Sequence, residues 1–336
     1  MKKKRVLLNW SYVWQAIVLV IALLLGGCST PGAGEELSMT ELYFDTVVQI
    51  HVWGAKRSVL DHCKELCSYY EGLLSKEIDT SDIARINAAQ GAPTHVSGET
   101  AELIRKGLYY SELTEGKFDI TIAPLTSLWD FHNHTEGNIP SEQELENARS
   151  LVDYRNVLVE GSTVTLLVPG MEIDLGGIAK GYIADRLKEY LVSEGIKHAY
   201  INLGGNVLLI GNRYDKTDYR IGIQRPFDES GQIITSVEVS DCSVVSSGIY
   251  QRYFKKDGKL YHHILNPETG YPYENNLLQV TILSDSSADG DALSTCCYTL
   301  GLEKGMELVE SLENVQAIFI TDDYEIHTAG NYQARD

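Results

Sequence analysis

The chain has 336 residues, 43% of them hydrophobic, with 47 acidic against 28 basic side chains and a formal charge of −19. So acidic a chain argues against nucleic acid as a partner, and it means that an anionic ligand needs local help from a metal or from helix ends. Its six cysteines include no C-x₂-C pair, so neither a zinc site nor a dense disulfide framework is supported.

Lys2, Lys3, Lys4 and Arg5 form a basic n-region, followed by an apolar segment strongest from Ala16 to Leu25 and then by Leu25-Gly26-Gly27-Cys28. These are the three parts of a secretory signal. The segment also resembles the bacterial lipoprotein signal, which implies that residues 1–27 are removed and that Cys28 is lipidated. Diacylglycerol there would hold the protein on the membrane, on its extracytoplasmic face. Residues 28–40 read as the lipidated cysteine and a flexible tether, because Ser29 to Ser38 are small, polar and contain Pro and Gly. Loss of 1–27 takes the charge from −19 to −23, since that stretch holds four basic side chains and no acid. Five cysteines lie beyond Cys28, and buried free thiols are their expected state because cysteine packs as a small hydrophobe.

The domain at 41–330 opens with a strand from Tyr43 to Val52. Val59, Leu60, Cys63, Leu66, Cys67, Tyr70, Leu73 and Leu74 recur at helical spacing, which predicts a helix over 57–74. Shorter helices fit Asp82–Ala89 and Gly98–Leu113, the second with Ser97 as N-cap. Ser141 to Glu144 is a capping box opening a helix to Ser150. Val157–Val159 and Val164–Val168 read as a hairpin, and a helix ending near Glu194 is closed by Gly195. Strands follow at His198–Leu203, Val207–Ile210, Tyr219–Ile223, Ile233–Val239 and Ser243–Ser246. Asp257-Gly258 turns a hairpin between Gln251–Phe254 and Leu260–Leu265. Leu278–Leu283 and Val315–Ile320 are further strands, with helices at Ala292–Leu300 and Lys304–Leu312 between them. Helices and strands mix without βαβ alternation, which favours an α+β fold of helices layered on largely antiparallel sheets, in a single catalytic domain.

Four constellations carry chemistry. Asp174-Leu175-Gly176-Gly177-Ile178-Ala179-Lys180-Gly181-Tyr182 follows a short apolar run and leads into a helix. Paired glycines allow close backbone approach, and a helix start favours negative charge. That suits a phosphorylated ligand held with a cation, although alone the stretch reads equally as a structural corner. Lys117-Phe118-Asp119-Ile120-Thr121 could offer an exposed aromatic, an acid and a hydroxyl to a planar heterocycle, or be a strand edge. Ser246-Ser247-Gly248 precedes a strand carrying His262 and His263, which ends in the Pro/Gly turn Asn266 to Tyr271. Asp291 and Thr295 are i, i+4 and share a helix face, and their oxygens suit a hard cation such as Mg²⁺. An ordinary N-cap acid would look the same.

Together these blocks resemble the ApbE family of flavin transferases. F-D-x-T matches Phe118, Asp119 and Thr121. D-[LF]-G-G-x-A-K-G-Y matches Asp174 to Tyr182. Ile201 to Asn206, Ser246 to Tyr250, His263 to Pro272 and Gly290 to Thr295 match four further blocks, and Thr80 to Asn87 approximates another. The likeness covers roughly residues 43–327. It implies a T-fold-like layering and Mg²⁺-dependent transfer of FMN from FAD, a consumed substrate, to a threonine or serine of an extracytoplasmic redox protein, with AMP released. It implies Mg²⁺ on the Ala179 carbonyl, Asp291 and Thr295, and a flavin-nucleotide site of Phe44, Lys117, Phe118, Asp119, Asp174, Gly176, Lys180, Tyr182, His263 and Ile264. His263 and Lys180 are the candidate catalytic residues, the first assisting the incoming hydroxyl and the second offsetting developing charge. Where the family has Met-Gly-Thr near its start, this chain has Phe44-Asp45-Thr46, a departure at position 44. A water-consuming FAD pyrophosphatase and a non-catalytic flavin-binding lipoprotein are the rival readings.

Overall fold

The computed structural model describes residues 34–131, 137–228 and 230–333; the signal, Cys28 and the first part of the tether lie outside them. Its centre is an eight-stranded antiparallel sheet in the order β1-β2-β6-β7-β10-β13-β14-β15. The strands are β1 Glu36–Tyr43, β2 Thr46–Trp53, β6 Ala199–Leu203, β7 Asn206–Ile210, β10 Ser243–Gly248, β13 Leu277–Ser284, β14 Gln316–Thr321 and β15 Ile326–Gly330.

Both faces of the sheet are covered, so its central strands are apolar on both sides. On one face, Leu208 of β7, Val280 and Ile282 of β13 and Phe319 of β14 join the large core. Helices α1 Arg57–Leu74, α6 Ala179–Ser193, α7 Ser287–Leu300 and α8 Leu302–Glu310 pack there through Leu60, Leu187, Leu293 and Val309. On the other face, Val207 and Leu209 of β7, Val244 of β10 and Leu283 of β13 meet Tyr219 and Ile223 of a separate hairpin, β8 Tyr219–Gln224 with β9 Ile233–Val239. A third, smaller core around Trp129 joins α4 Ala123–Trp129 and α5 Glu142–Arg149 to the hairpin β11 Tyr253–Lys256 and β12 Lys259–His262. The remaining elements are α2 Asp82–Ala88, α3 Gly98–Leu113, and a small sheet of β3 Thr94–His95, β4 Val157–Glu160 and β5 Thr163–Leu166.

The α+β reading and the antiparallel pairing stand. The helix at 57–74 has the expected bounds, Ser97 caps α3, and Ser141 and Glu144 form the capping box. Four expectations need correction. Residues 36–40 are not tether, because Glu36 to Thr40 pair with Trp53 to Gln49. The strand expected at Tyr43–Val52 is the return arm of that hairpin, which turns at Phe44-Asp45 with φ of 56° and 55°. Such a two-residue turn needs positive φ at both positions, where a phenylalanine is uncommon. Helix α7 begins at Ser287 rather than Ala292, because Ser286 caps it through the Asp289 amide. The strand before the Pro/Gly turn ends at His262, so His263 lies just beyond it. Among the described residues, no helix is long and apolar enough to cross a membrane.

Candidate functional site

A cleft of about 1730 Å³ runs from the end of α1 across the 174–177 turn to β10 and β8. Phe44, Lys117, Phe118, Asp119, Asp174, Gly176, Ala179, Lys180, His263, Ile264, Asp291 and Thr295 all line it. Residues scattered over most of the sequence therefore meet in one place.

The 174–177 turn is held from both sides. Asn87 bonds both main-chain groups of Ile173, donating to its carbonyl at 3.0 Å and accepting from its amide at 2.7 Å. The Asp174 amide donates to Ile120 O at 2.8 Å, which ties the turn to the 118–121 loop. The Asp174 carboxylate accepts from Gly176 N at 2.8 Å and Thr126 Oγ1 at 3.2 Å, and pairs with Lys76 at 3.0 Å. Burial opposes its ionisation, but Lys76 and these donors outweigh that and hold the carboxyl below its ordinary range. Lys180 Nζ donates to Gly176 O at 3.2 Å, so its charge sits over the turn. A β-carbon on Gly177 would lie 3.0 Å from the Phe118 ring and 3.8 Å from Thr295 Oγ1, so the missing side chain leaves room between them.

Helix α7 brings the oxygen donors. Asp291 is 4% exposed, and its Oδ2 accepts from the Gly181 amide at 2.9 Å. No cation pairs with it among the described residues. Thr295 Oγ1 is 3.1 Å from Ser247 Oγ, which also bonds Ser294 Oγ at 2.6 Å. A buried carboxylate without a counter-charge, a hydroxyl and the first carbonyl of α6 form an all-oxygen set, and that set fits a hard divalent cation. No group of three or more His, Cys, Asp or Glu side chains able to hold a metal occurs among the described residues, so water or ligand oxygens would complete the shell of a cation here.

Asp185 fixes how α6 and α7 meet. It accepts from Ser287 N at 2.8 Å, Ala288 N at 3.0 Å and Ser286 Oγ at 2.9 Å, capping α7 from the neighbouring helix. Burial pushes this carboxyl up, and the three donors act against that. Gly181 lets the backbones touch, since a β-carbon there would lie 2.1 Å from Ser287 O.

His263 Nδ1 lies 3.2 Å from Arg252 O. A carbonyl only accepts, so Nδ1 carries the proton and Nε2 keeps a lone pair. Burial, then positive neighbours including Arg252, push its pKa down to about 3. His262, by contrast, is buried and bonds Tyr273 O at 3.0 Å.

Two expected contacts need correction. Tyr182 does not line the cleft: it is 2% exposed, its hydroxyl donates to Glu102 at 3.3 Å, and Arg186 covers its ring. As the fourth residue of α6, it turns toward the core instead. Phe118 is not an exposed aromatic, and Asp119 beside it is equally buried, each at 7% exposure. Both Asp119 oxygens are engaged, by Thr121 at 2.7 and 2.8 Å and by Tyr154 N at 3.0 Å, so it shapes the loop. Sequence reasoning missed Lys76, Asp185 and the role of Ser247. Only Ser247 left a signal, in the Ser246-Ser247-Gly248 block.

The ApbE family model matches residues 44–319. A Klebsiella pneumoniae protein named FAD:protein FMN transferase is 39% identical over 267 residues, covering 78% of this chain and 82% of its own. A Treponema pallidum protein of the same name is 31% identical over 338 residues, covering 94% of this chain and 93% of its own. The crystal structure of the ApbE protein from Thermotoga maritima superposes with a TM-score of 0.81 at 30% identity, covering 88% of this chain and 97% of that one. With its motif blocks gathered in one cleft and its fold shared with such structures, the chain belongs to the ApbE family.

Proposed function

We propose that this protein is a Mg²⁺-dependent FAD:protein FMN transferase. It moves FMN from FAD onto a threonine or serine hydroxyl of an extracytoplasmic redox protein and releases AMP. The supporting observation is that one cleft joins a buried, uncompensated carboxylate with oxygen partners to a lysine and a histidine of fixed tautomer. The acceptor hydroxyl oxygen attacks the FMN phosphorus and forms a new P–O bond, the phosphoanhydride P–O bond breaks, AMP leaves with its electron pair, and the hydroxyl proton is lost to solvent.

Phosphoryl-type transfer asks the protein mainly for positioning and charge. Ala179, Asp291 and Thr295 would hold Mg²⁺, which supplies neutralisation of the pyrophosphate oxygens. Lys180, above the glycine turn, offsets charge on the transferred group. His263 stays neutral near pH 7, so Nε2 accepts a hydrogen bond from the attacking hydroxyl and orients it. Phe118 and Ile264 give the nucleotide an apolar wall. We also assign Cys28 as the lipidated residue that anchors the chain on the extracytoplasmic face of the membrane.

Incubation with FAD, Mg²⁺ and a candidate acceptor tests this reading. A covalently flavinylated band supports it. Free FMN and AMP with no labelled protein at any acceptor concentration would assign a hydrolase, and stoichiometric FAD binding without AMP a binding protein. Cys28→Ser should move the protein from the membrane to the soluble fraction; unchanged membrane retention refutes the anchor.

A further inference from the structure

We infer that the flavin acceptor docks as an added β-strand along the free edge of β8, with an acidic side chain beside its hydroxyl residue met by Arg220 and Arg252. The inference rests on the transferase reading and names where the protein substrate lies.

Among the described residues, strand β8 pairs with β9 alone. An antiparallel pair turns the main-chain groups of every second residue away from the partner strand. At Arg220–Gln224 those outward groups have no main-chain partner among the described residues. All five of these residues line the cleft and no residue of β9 does, so the unpaired edge faces into it. Such an edge is a template for an extended polypeptide. A nucleotide has no backbone to complete it.

Charge supports the same reading. Arg220 lies on the edge strand itself, and Arg252 lines the same cleft. In a chain of net charge −19, two guanidinium groups in one cleft favour a segment carrying negative charge. Gln279 lines that cleft at 1% exposure, and its Oε1 has no hydrogen-bond partner among the described residues. An incoming amide N–H would satisfy it. The same cleft holds Asp291, Thr295 and His263, so a strand laid on β8 brings its hydroxyl into the space that holds the reacting phosphorus.

The test offers the full chain, with FAD and Mg²⁺, an array of synthetic nonapeptides that each carry one central threonine, and reads covalent flavin fluorescence. Labelled peptides should be enriched about tenfold in Asp or Glu near the threonine, and Arg220→Glu should turn the preference toward Lys and Arg. A reversal of preference cannot come from lost folding. N-methylating the best peptide one residue at a time should abolish labelling at alternate positions only. Labelling without charge preference, tolerance of N-methylation throughout, or no labelled peptide while FAD is still cleaved would each overturn the docking. The wild-type chain's FAD cleavage without peptide is the control: its absence, together with no labelled acceptor, would sink the transferase reading instead.

Discussion

Gly181→Ala isolates the contact between the two helices that carry the metal donors. The added β-carbon would sit 2.1 Å from Ser287 O and 2.8 Å from Ala288 Cα, both backbone atoms that cannot rotate away. Bringing the closest contact to about 3.2 Å opens the helices by roughly 1 Å, and overpacking of this kind costs about 1–3 kcal/mol. The same shift stretches the 2.9 Å bond from the Gly181 amide to Asp291 beyond hydrogen-bonding range, and a bond to a charged group contributes about 1.5–3 kcal/mol. For a domain of this size that amounts to a fall in Tm of roughly 4–10 °C. The catalytic effect should be larger, since a misplacement of about 1 Å costs on the order of a hundredfold in rate. Differential scanning fluorimetry gives the first value. Steady-state release of AMP from FAD across a Mg²⁺ titration gives the second. A variant with wild-type Tm and turnover would refute the close-contact argument and the geometry of the metal set built on it.

Other substitutions probe the site separately. Asp291→Asn should lower FAD turnover at least about a hundredfold and abolish Mn²⁺ binding by electron paramagnetic resonance, while Tm holds or rises, because a buried uncompensated charge is removed. Asp174 titrates below its unfolded value of about 3.9, so its pairing stabilises the fold above that pH and is lost as pH falls through the folded value. Lys76→Met should therefore destabilise the protein at neutral pH and narrow the gap from wild type below about pH 4, read as Tm against pH. His263, held down to about 3, should add no rising limb near pH 6.5 to the rate profile of FAD cleavage, and a limb there that His263→Ala removes would contradict its neutral assignment. Burial pushes Cys63, Cys67, Cys242 and Cys297 up to about 12, so iodoacetamide should label them only after denaturation.

Most elements were legible in the sequence because their apolar spacing is regular, as in α1 and the capped helices α3 and α5. The exceptions have particular causes. Pro124 reads as a stop, yet it sits in the first turn of α4, where its missing amide costs nothing. The helix fitted at Ala292–Leu300 starts too late because Gly290 lies inside α7, where a β-carbon would meet Ser284 Oγ at 2.8 Å. Strand β1 exposes Glu36, Ser38 and Thr40 and fully buries only Met39, so next to Pro and Gly it passes for tether. The site residues could be named from their blocks, but the groups that hold them could not. The pairing of Asp174 with Lys76 and the Asp185 cap on α7 join distant segments, and no local pattern announces them. Tyr182 failed for the opposite reason: it lies within a matching block, but the rotation of the helix carries it away from the ligand side.

Neighbouring residues on β10 divide the molecule's work. Val245 and Ser247 look toward α7, while Val244 and Ser246 look toward the β8–β9 side, where Ser246 Oγ meets Thr281 at 2.8 Å. Odd and even positions of one strand thus face opposite sides of the sheet. Retargeting by directed evolution could vary the even positions and leave the cation chemistry intact, whereas a single inserted residue would exchange the two sets and disable both at once.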